Sequence, residues 1–180
     1  MSSHPQLNLG NFLPYLVNRV GFAFVANFTH ALVRHDLSIA MWRVLAVLAN
    51  DDGQRQIDVA ASTSIDVSTL SRVVTRLVKM VLVTRMRSAT NSREVVVRLT
   101  PKGAAVLARV IPHAVALERT AMAGVPAKDL GVVRRSLRRM YQNLAASAAI
   151  GARSAAPAVR ASAASAAPSR RRRSGGRAPR

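Results

Sequence analysis

The feature that most constrains this chain is a change of hydrophobic periodicity after Val81. Before that point, apolar residues recur at the spacing of amphipathic helices. After it, two runs rich in β-branched residues, 82–87 and 94–99, flank the polar stretch 88–92. That arrangement is typical of a β-hairpin with a long tip. Thr100-Pro101 then restarts a helix, because threonine caps well and proline is tolerated at the first helical position.

The remaining chain is predicted to be helical, with ends marked by capping and breaking residues. Residues 36–38 offer capping chemistry, and 50–53 and 124–126 are turn sequences rich in Asp, Asn, Gly or Pro. Pro112 should bend the helix that contains it. The expected helices cover residues 11–34, 39–49, 57–62, 68–80, 101–122 and 127–149.

The helix over 68–80 has two faces of opposite character. Its predicted buried face is apolar and consists of Leu70, Val73, Val74, Leu77 and Val78. Its outward face is polar and consists of Thr69, Arg72, Thr75, Arg76 and Lys79. A short helix, a tight turn and a second helix of this kind form a helix-turn-helix unit, whose second helix suits the major groove of DNA. The basic hairpin that follows would be a wing along the DNA backbone.

Charge points to a polyanionic partner. The chain has 27 basic and 8 acidic residues, a formal net charge of +19. Eight of the arginines lie in 151–180, which has no acid, so residues 1–150 keep 19 basic against 8 acidic residues. The C-terminal segment therefore exaggerates the basicity but does not create it, and a charge of this size favours binding to polyanions, either nucleic acid or anionic lipid.

Several function classes find no support in the composition. The chain has no cysteine, which excludes disulfides and thiolate chemistry. Its four histidines lack paired metal-ligand spacing, so no metal or other cofactor is expected. The eight acids are dispersed and no catalytic motif is present, so an enzyme is not expected. The apolar runs are short and broken, and the N-terminus lacks the pattern of a signal peptide. No membrane partner is expected, and a cytoplasmic, nucleoid-associated location follows.

The segments 59–85 and 91–103, VAASTSIDVSTLSRVVTRLVKMVLVTR and NSREVVVRLTPKG, resemble the multiple antibiotic resistance regulator (MarR) family of winged helix-turn-helix proteins. IAMWRVLAVL is similar to the second helix of that family and VPAKDLGVVRRSLRRM to its last helix. The resemblance covers about residues 11–147. It implies a mainly α fold with a small β-hairpin wing, a homodimer held by its N- and C-terminal helices, and transcriptional repression relieved by a small aromatic or phenolic ligand.

The sequence departs from the family pattern at named positions. The wing commonly has Asp, any residue, Arg, whereas this chain has Asn91-Ser92-Arg93, so Arg93 matches and the carboxylate is missing. Ser64 and Val81 stand where glycine is frequent, and Met41 where glutamine is frequent. The turns at 64 and 81 must therefore be tolerated in another way.

The candidate DNA contacts combine the outward helix face with the wing. Arg72 and Arg76 are suited to guanine edges, where a good bidentate contact gives ~1–3 kcal/mol of discrimination. The wing arginines are expected on phosphates, and Asp66 or Ser68 is expected to cap the helix. A solvated helix face is the alternative reading. The full set is Ser68, Thr69, Ser71, Arg72, Thr75, Arg76, Arg85, Arg87 and Arg93.

The candidate ligand-binding residues are Tyr15, Arg19, Trp42, Arg43 and His113. The aromatic side chains of this set would stack on an effector, and its cationic ones would anchor an anionic group. Core packing for Trp42 and Tyr15 and exposed ion pairs for the basic residues are the competing interpretations.

The predicted organisation has three parts. Residues 1–10 are an N-terminal arm, and 11–150 a winged-helix domain, with dimerisation helices over 11–34 and 104–149 around a DNA-binding part over 38–103. Residues 151–180 are almost devoid of large apolar side chains and are expected to be disordered.

The function predicted is a homodimeric, ligand-responsive regulator that binds a pseudo-palindromic duplex, with half-sites about 10–10.5 bp apart. A protein that binds or packages nucleic acid without sequence preference, through the basic domain and tail, is the alternative. Whether the tail contributes to DNA binding stays open at this point, as does the choice between repressor and activator.

Overall fold

The computed structural model describes residues 7–87 and 94–165, with side chains as far as 147. Its elements in chain order are α1 (Leu13–Val33), α2 (Ile39–Asn50), β1 (Gln54–Arg55), α3 (Gln56–Thr63), α4 (Val67–Lys79), β2 (Val83–Arg87), β3 (Val95–Leu99), α5 (Pro101–Ala121) and α6 (Ala127–Ser165). The predicted fold class, mainly helical with a small wing, is confirmed.

Three helices begin at the side-chain caps that the sequence offers. The Ser38 hydroxyl accepts the backbone N–H of Met41 at 3.3 Å, and Asp66 and Thr100 cap α4 and α5 in the same way. Each cap satisfies a backbone donor that the first turn leaves unpaired. Pro101 takes the first position of α5, and the helix continues through Pro112 to Ala121.

The sheet has three antiparallel strands in the order β1-β3-β2. In the hairpin Val83 pairs with Leu99 and Arg87 with Val95. The edge strand β1, which the sequence analysis did not predict, pairs Gln54 with Val97 and Arg55 with Val96. This strand joins the start of α3 to the wing.

One core holds the helix-turn-helix unit and the wing against α1, α2 and α5. Its fully buried side chains come from the five helices α1 to α5, from β2 and β3 and from the segment leading into β2, and they include Leu32, Leu45, Leu48, Val59, Leu70, Leu77, Leu82, Val83, Val97 and Val110. The predicted buried face of α4 was too wide. Val78 is 38% exposed and Val73 only half-buried, because the core meets α4 along the narrower line of Leu70, Val74 and Leu77.

The N-terminus of α5 packs tightly against the turn between α4 and β2. The Thr100 hydroxyl donates to the Val81 carbonyl oxygen at 2.8 Å, and the Lys102 ammonium donates to that of Met80 at 3.0 Å. A Cβ added at Gly103 would overlap the carbonyl oxygen of Leu82. Glycine is therefore needed there for close approach, and the contact fixes the end of α4 relative to the wing.

The chain divides into two compact units, residues 1–123 and 124–180. In the second unit α6 continues to Ser165, beyond the predicted end at 149 and into the segment 151–180 that was expected to be disordered. The difference has a physical reason, because 145–165 are rich in alanine, the best helix former. Residues 1–6 and 166–180 lie outside the described residues.

The helix α1 is 21 residues long, and an 18-residue window within it has a mean hydropathy of 1.2. Only 11% of that window is buried inside the structure. By length and composition alone this helix could cross a membrane, so the expectation that no segment is long and apolar enough was wrong. Its apolar residues are distributed around the helix rather than contiguous, so they form no long unbroken apolar run in the sequence. Leu13, Leu16, Val17 and Val20 are all exposed in the single chain.

Candidate nucleic-acid interface

The turn between α3 and α4 is short and closed by backbone hydrogen bonds. Ser64 ends α3 in the left-handed conformation, with φ 54° and ψ 36°. The N–H of Ile65 then donates to the Ala60 carbonyl at 3.2 Å. Such an ending is usually made by glycine, and serine adopts it here. The turn brings α4 out of α3 within three residues, as a helix-turn-helix unit requires.

Asp66 is the cap of α4. Its Oδ1 accepts the backbone N–H of Thr69 at 2.9 Å and the hydroxyl of Ser68 at 2.6 Å. These hydrogen bonds, that of Ser68 foremost, hold the pKa of the Asp66 carboxyl well below its usual range. Asp66 is therefore the capping residue of the two candidates, and Ser68 supports it.

The outward face of α4 is solvent-accessible along its length. Ser68, Thr69, Arg72, Thr75 and Arg76 are exposed, and Ser71 is half-buried. The Thr75 hydroxyl donates to the Ser71 carbonyl at 2.8 Å, so its oxygen remains able to accept a hydrogen bond. Among the described residues, no acidic side chain lies within salt-bridge distance of Arg72 or Arg76. The face is thus cationic and uncompensated.

The wing places two of its predicted arginines on one side. Val83, Arg85 and Arg87 alternate along β2 and so share a face; Val83 is buried and both arginines are exposed. The strand therefore starts in the core and extends beyond it, carrying its cations into solvent. Arg93, the third wing arginine, lies outside the described residues.

Sequence reasoning missed a set of ion pairs at the base of the wing. The Arg55 guanidinium donates two hydrogen bonds to the Asp58 carboxylate, of 2.6 and 2.9 Å, and a third to Glu94 at 3.3 Å. These two carboxylates, Asp58 foremost, raise the pKa of Arg55. The Arg55–Asp58 spacing was visible in the sequence, but the Glu94 contact spans 39 positions and depends on β1 being paired with β3.

A second link joins the same edge of the sheet to the turn after α2. Asp52 Oδ1 accepts the backbone N–H of Leu99 at 2.7 Å, and its other oxygen lies 3.7 Å from the Arg98 guanidinium. Arg98 is therefore partly neutralised and differs in this respect from Arg85 and Arg87.

A cavity of about 230 Å³ lies between α1, α2 and α5. It brings together two of the five predicted ligand-binding residues, Trp42 and Arg43, and Trp42 packs edge-on against Phe28 with ring centroids 5.0 Å apart. The other three do not line it. Tyr15 and Arg19 contact each other through a cation–π interaction at 5.7 Å, and His113 is exposed on α5. The cavity walls are otherwise apolar, formed by Phe24, Val25, Phe28, Ile39, Ala114 and Leu117.

In the part of the chain that the structure describes, no group of three or more His, Asp or Glu side chains is placed to hold a metal ion.

The known proteins that this chain resembles are transcriptional regulators. The model of the MarR family matches residues 37–95. A protein of Thauera aromatica assigned as the transcriptional regulator of the hcr operon is 28% identical over 102 residues, which cover 57% of this chain and 61% of the relative. The chain thus matches less than two thirds of that relative's length.

The similarity to two solved structures covers nearly the whole length of those two proteins. A transcriptional regulator of the MarR family from Silicibacter pomeroyi is 30% identical, with a TM-score of 0.71, and the match covers 77% of this chain and 96% of the other. BpsR of Bordetella bronchiseptica, whose DNA binding is regulated by 6-hydroxynicotinic acid, is 26% identical with a TM-score of 0.65, covering 72% and 98%.

Proposed function

Because the chain belongs to the MarR family of transcriptional regulators, we propose that it is a homodimeric repressor that binds a pseudo-palindromic operator through α4 and the wing, and that a small aromatic acid releases it. The family and fold are those of DNA-binding regulators rather than enzymes.

The observation that carries the DNA-binding part is the polarity of α4. Leu70, Val74 and Leu77 are fully buried, so the helix cannot rotate, and its opposite face must remain in solvent. That face presents Arg72 and Arg76 without an acidic partner among the described side chains. A fixed helix with an uncompensated cationic edge suits the major groove, where arginine pairs with guanine N7 and O6.

The positions of the other predicted DNA-contacting residues on α4 and on the wing suggest which part of the DNA each one meets. Thr69 and Thr75 can meet base edges or methyl groups, and Ser68 and Ser71 are near enough to the helix start to meet phosphate. In the wing, Arg85 and Arg87, which share one face of β2, contact phosphates of the DNA backbone. Arg93 takes the same role by its place in the sequence.

Dimerisation is supported by apolar surface left open on the helices outside the DNA-binding part. In α1, Leu13, Leu16, Val17 and Val20 are each more than a third exposed. In α6, Val133, Leu137, Met140, Tyr141 and Leu144 are also exposed, and they recur at helical spacing. Burying such stripes against a second copy removes apolar surface from water. This use of α1 is preferred to a membrane span.

The cavity beside Trp42 is the proposed effector site. Its apolar walls and its one cation, Arg43, suit a small aromatic carboxylate, the class to which the BpsR effector belongs. The cavity lies between α1, α2 and α5, and α2 also packs against α3 and α4. An effector that shifts α2 would change the distance between the two recognition helices of a dimer. An effector that prefers the released state about 100-fold shifts the equilibrium by ~2.7 kcal/mol.

The DNA-binding part is tested by selecting duplexes from a random library and measuring affinities by fluorescence anisotropy at about 150 mM salt. We expect the selected site to be pseudo-palindromic, with half-sites about one helical turn apart. Arg72→Ala should weaken binding by ~1–3 kcal/mol and relax the preference at one position of each half-site. Arg109→Ala, an exposed arginine of α5, is the matched control and should bind as the wild type. Equal affinity for all duplexes would instead favour binding without sequence preference.

The effector part is tested by thermal shift with 6-hydroxynicotinic acid and other small aromatic acids, followed by displacement from the selected duplex. We expect at least one acid to raise the melting temperature and release the DNA. Arg43→Gln should lose that shift and keep its DNA affinity, whereas Arg109→Gln should keep both. An undiminished shift in Arg43→Gln would remove the cavity from consideration.

A further inference from the structure

The wing contains one acidic residue, and its position needs an explanation. Between 82 and 100 the chain has four arginines and a single acid, Glu94, which immediately precedes β3. A carboxylate on a DNA-facing hairpin repels phosphate, so its presence there lowers affinity unless it has another task. The Glu94 side chain is 33% exposed and lies within 3.3 Å of the Arg55 guanidinium.

Arg55 is held in a fixed orientation on the helix-turn-helix side of that contact. Its Nε and Nη2 donate to the two oxygens of Asp58, in the first turn of α3, at 2.6 and 2.9 Å. A bidentate arginine–carboxylate pair of this kind fixes the plane of the guanidinium. The remaining Nη1 is therefore directed, and it is the nitrogen that donates to Glu94.

Strand pairing places Arg55 and Glu94 close together in the sheet. Arg55 is in β1 and pairs with Val96 of β3, two residues from Glu94. On the other side of β3, Val95 pairs with Arg87 of β2. Through β3, Glu94 thus lies one strand away from Arg87, the last described residue of β2.

We propose that the Arg55–Glu94 ion pair is a positioning device for the wing. Arg55, clamped to α3 by Asp58, holds the start of β3 and so sets the angle at which Arg85 and Arg87 meet the DNA backbone. Both residues act through the wing and need not touch DNA themselves. This inference rests on the proposed DNA-binding function.

The effect of Glu94→Gln on DNA affinity distinguishes the positioning role from simple charge repulsion, because the two explanations predict changes of opposite sign. Removal of an acid from a DNA-binding surface raises affinity if charge alone matters. If the pair positions the wing, the same change lowers affinity. An exposed ion pair is a weak interaction, so the expected loss is about threefold for each wing and, because two threefold losses multiply, about tenfold for a dimer with two wings. Asp51→Asn removes an exposed acid near the same edge of the sheet and should leave affinity equal or slightly higher.

The double variant Arg55→Gln/Glu94→Gln removes the pair without changing the net charge. We expect it to bind the selected duplex about tenfold more weakly than the wild type, with a melting temperature close to that of Asp51→Asn. The dependence of affinity on salt should be shallower, since each lost phosphate contact lowers the slope of log K against log salt by roughly one. Arg87→Gln should cost less affinity in this background than in the wild type.

Two results would overturn the inference while leaving the regulator function intact. One is tighter binding by Glu94→Gln; the other is wild-type affinity and salt dependence in the double variant. If the wild type itself shows no preference for any selected duplex, the proposed function fails instead, and the two failures are therefore distinguishable.

Discussion

Val81 stores conformational strain at the end of α4. Its φ of 59° lies in the left-handed region, which costs a side chain about 1–2 kcal/mol, and β-branching makes valine one of the least suited residues. The hydroxyl of Thr100 and the ammonium of Lys102 hold the turn in place, so the strain is retained.

Val81→Gly should therefore stabilise the fold. Val81 is 58% exposed, so little apolar burial is lost, and after the extra backbone entropy of glycine the net gain is about 1 kcal/mol. Chemical denaturation monitored by circular dichroism measures it. Val78→Gly, inside α4, is the control and should lose about 1 kcal/mol. An equal loss in both variants would show that Val81 is unstrained.

Asp66 makes the stability of α4 dependent on pH. Its pKa in the folded protein is lowered, mainly by the Ser68 hydroxyl, whereas the unfolded value is near 3.9. Its stabilising contribution is therefore fully present above about pH 4–5 and declines as the pH falls towards the folded pKa.

We expect the melting temperature of Asp66→Asn to lie below that of the wild type at pH 7, with the difference shrinking as the pH is lowered to about 3. Ser68→Ala, which removes the foremost hydrogen bond to the carboxylate, should reduce that pH dependence. A difference that is constant across the range would show that the Asp66 carboxylate does not titrate with folding.

The elements were predictable where periodicity or capping signals were strong. The helices α1 to α5 begin and end within about two residues of the predicted positions. For α2, α4 and α5 the start is marked by the caps Ser38, Asp66 and Thr100, of which Asp66 was one of two candidates. The strand β1 was missed because two residues have no periodicity to detect. The ion pairs of Arg55 and Asp52 with the wing depend on that strand and could not be derived without it.

Gly103 tests how closely α5 must approach the wing. A Cβ there would overlap the Leu82 carbonyl, a backbone group already held by the N–H of Thr100 at 3.1 Å, so neither side can easily yield. Gly103→Ala should cost about 2–3 kcal/mol. Gly21→Ala is the control, since a Cβ at that position of α1 meets no atom within 4 Å, and it should gain up to about 1 kcal/mol. Similar effects of the two changes would mean that α5 can shift away from the turn.

Charge is distributed very unevenly along the chain. Residues 127–180 carry thirteen of the 27 basic residues and one of the eight acids. In α6, Arg135, Arg138 and Arg139 are exposed. The specific contacts proposed above all lie before residue 100, so we expect the C-terminal part to add only attraction to phosphate, which carries no sequence information.

Replacing the six arginines of 166–180 by glutamine keeps the chain length and removes six positive charges. We expect affinity for the selected duplex to fall about tenfold at low salt and the difference to vanish at high salt, with a shallower slope of log K against log salt. The ratio of specific to non-specific affinity should rise, because the removed arginines favour every duplex alike. Abolished binding to both duplexes would instead support the alternative, in which the basic tail binds nucleic acid without sequence preference. Fluorescence anisotropy on the selected and a scrambled duplex, over a series of salt concentrations, decides between them.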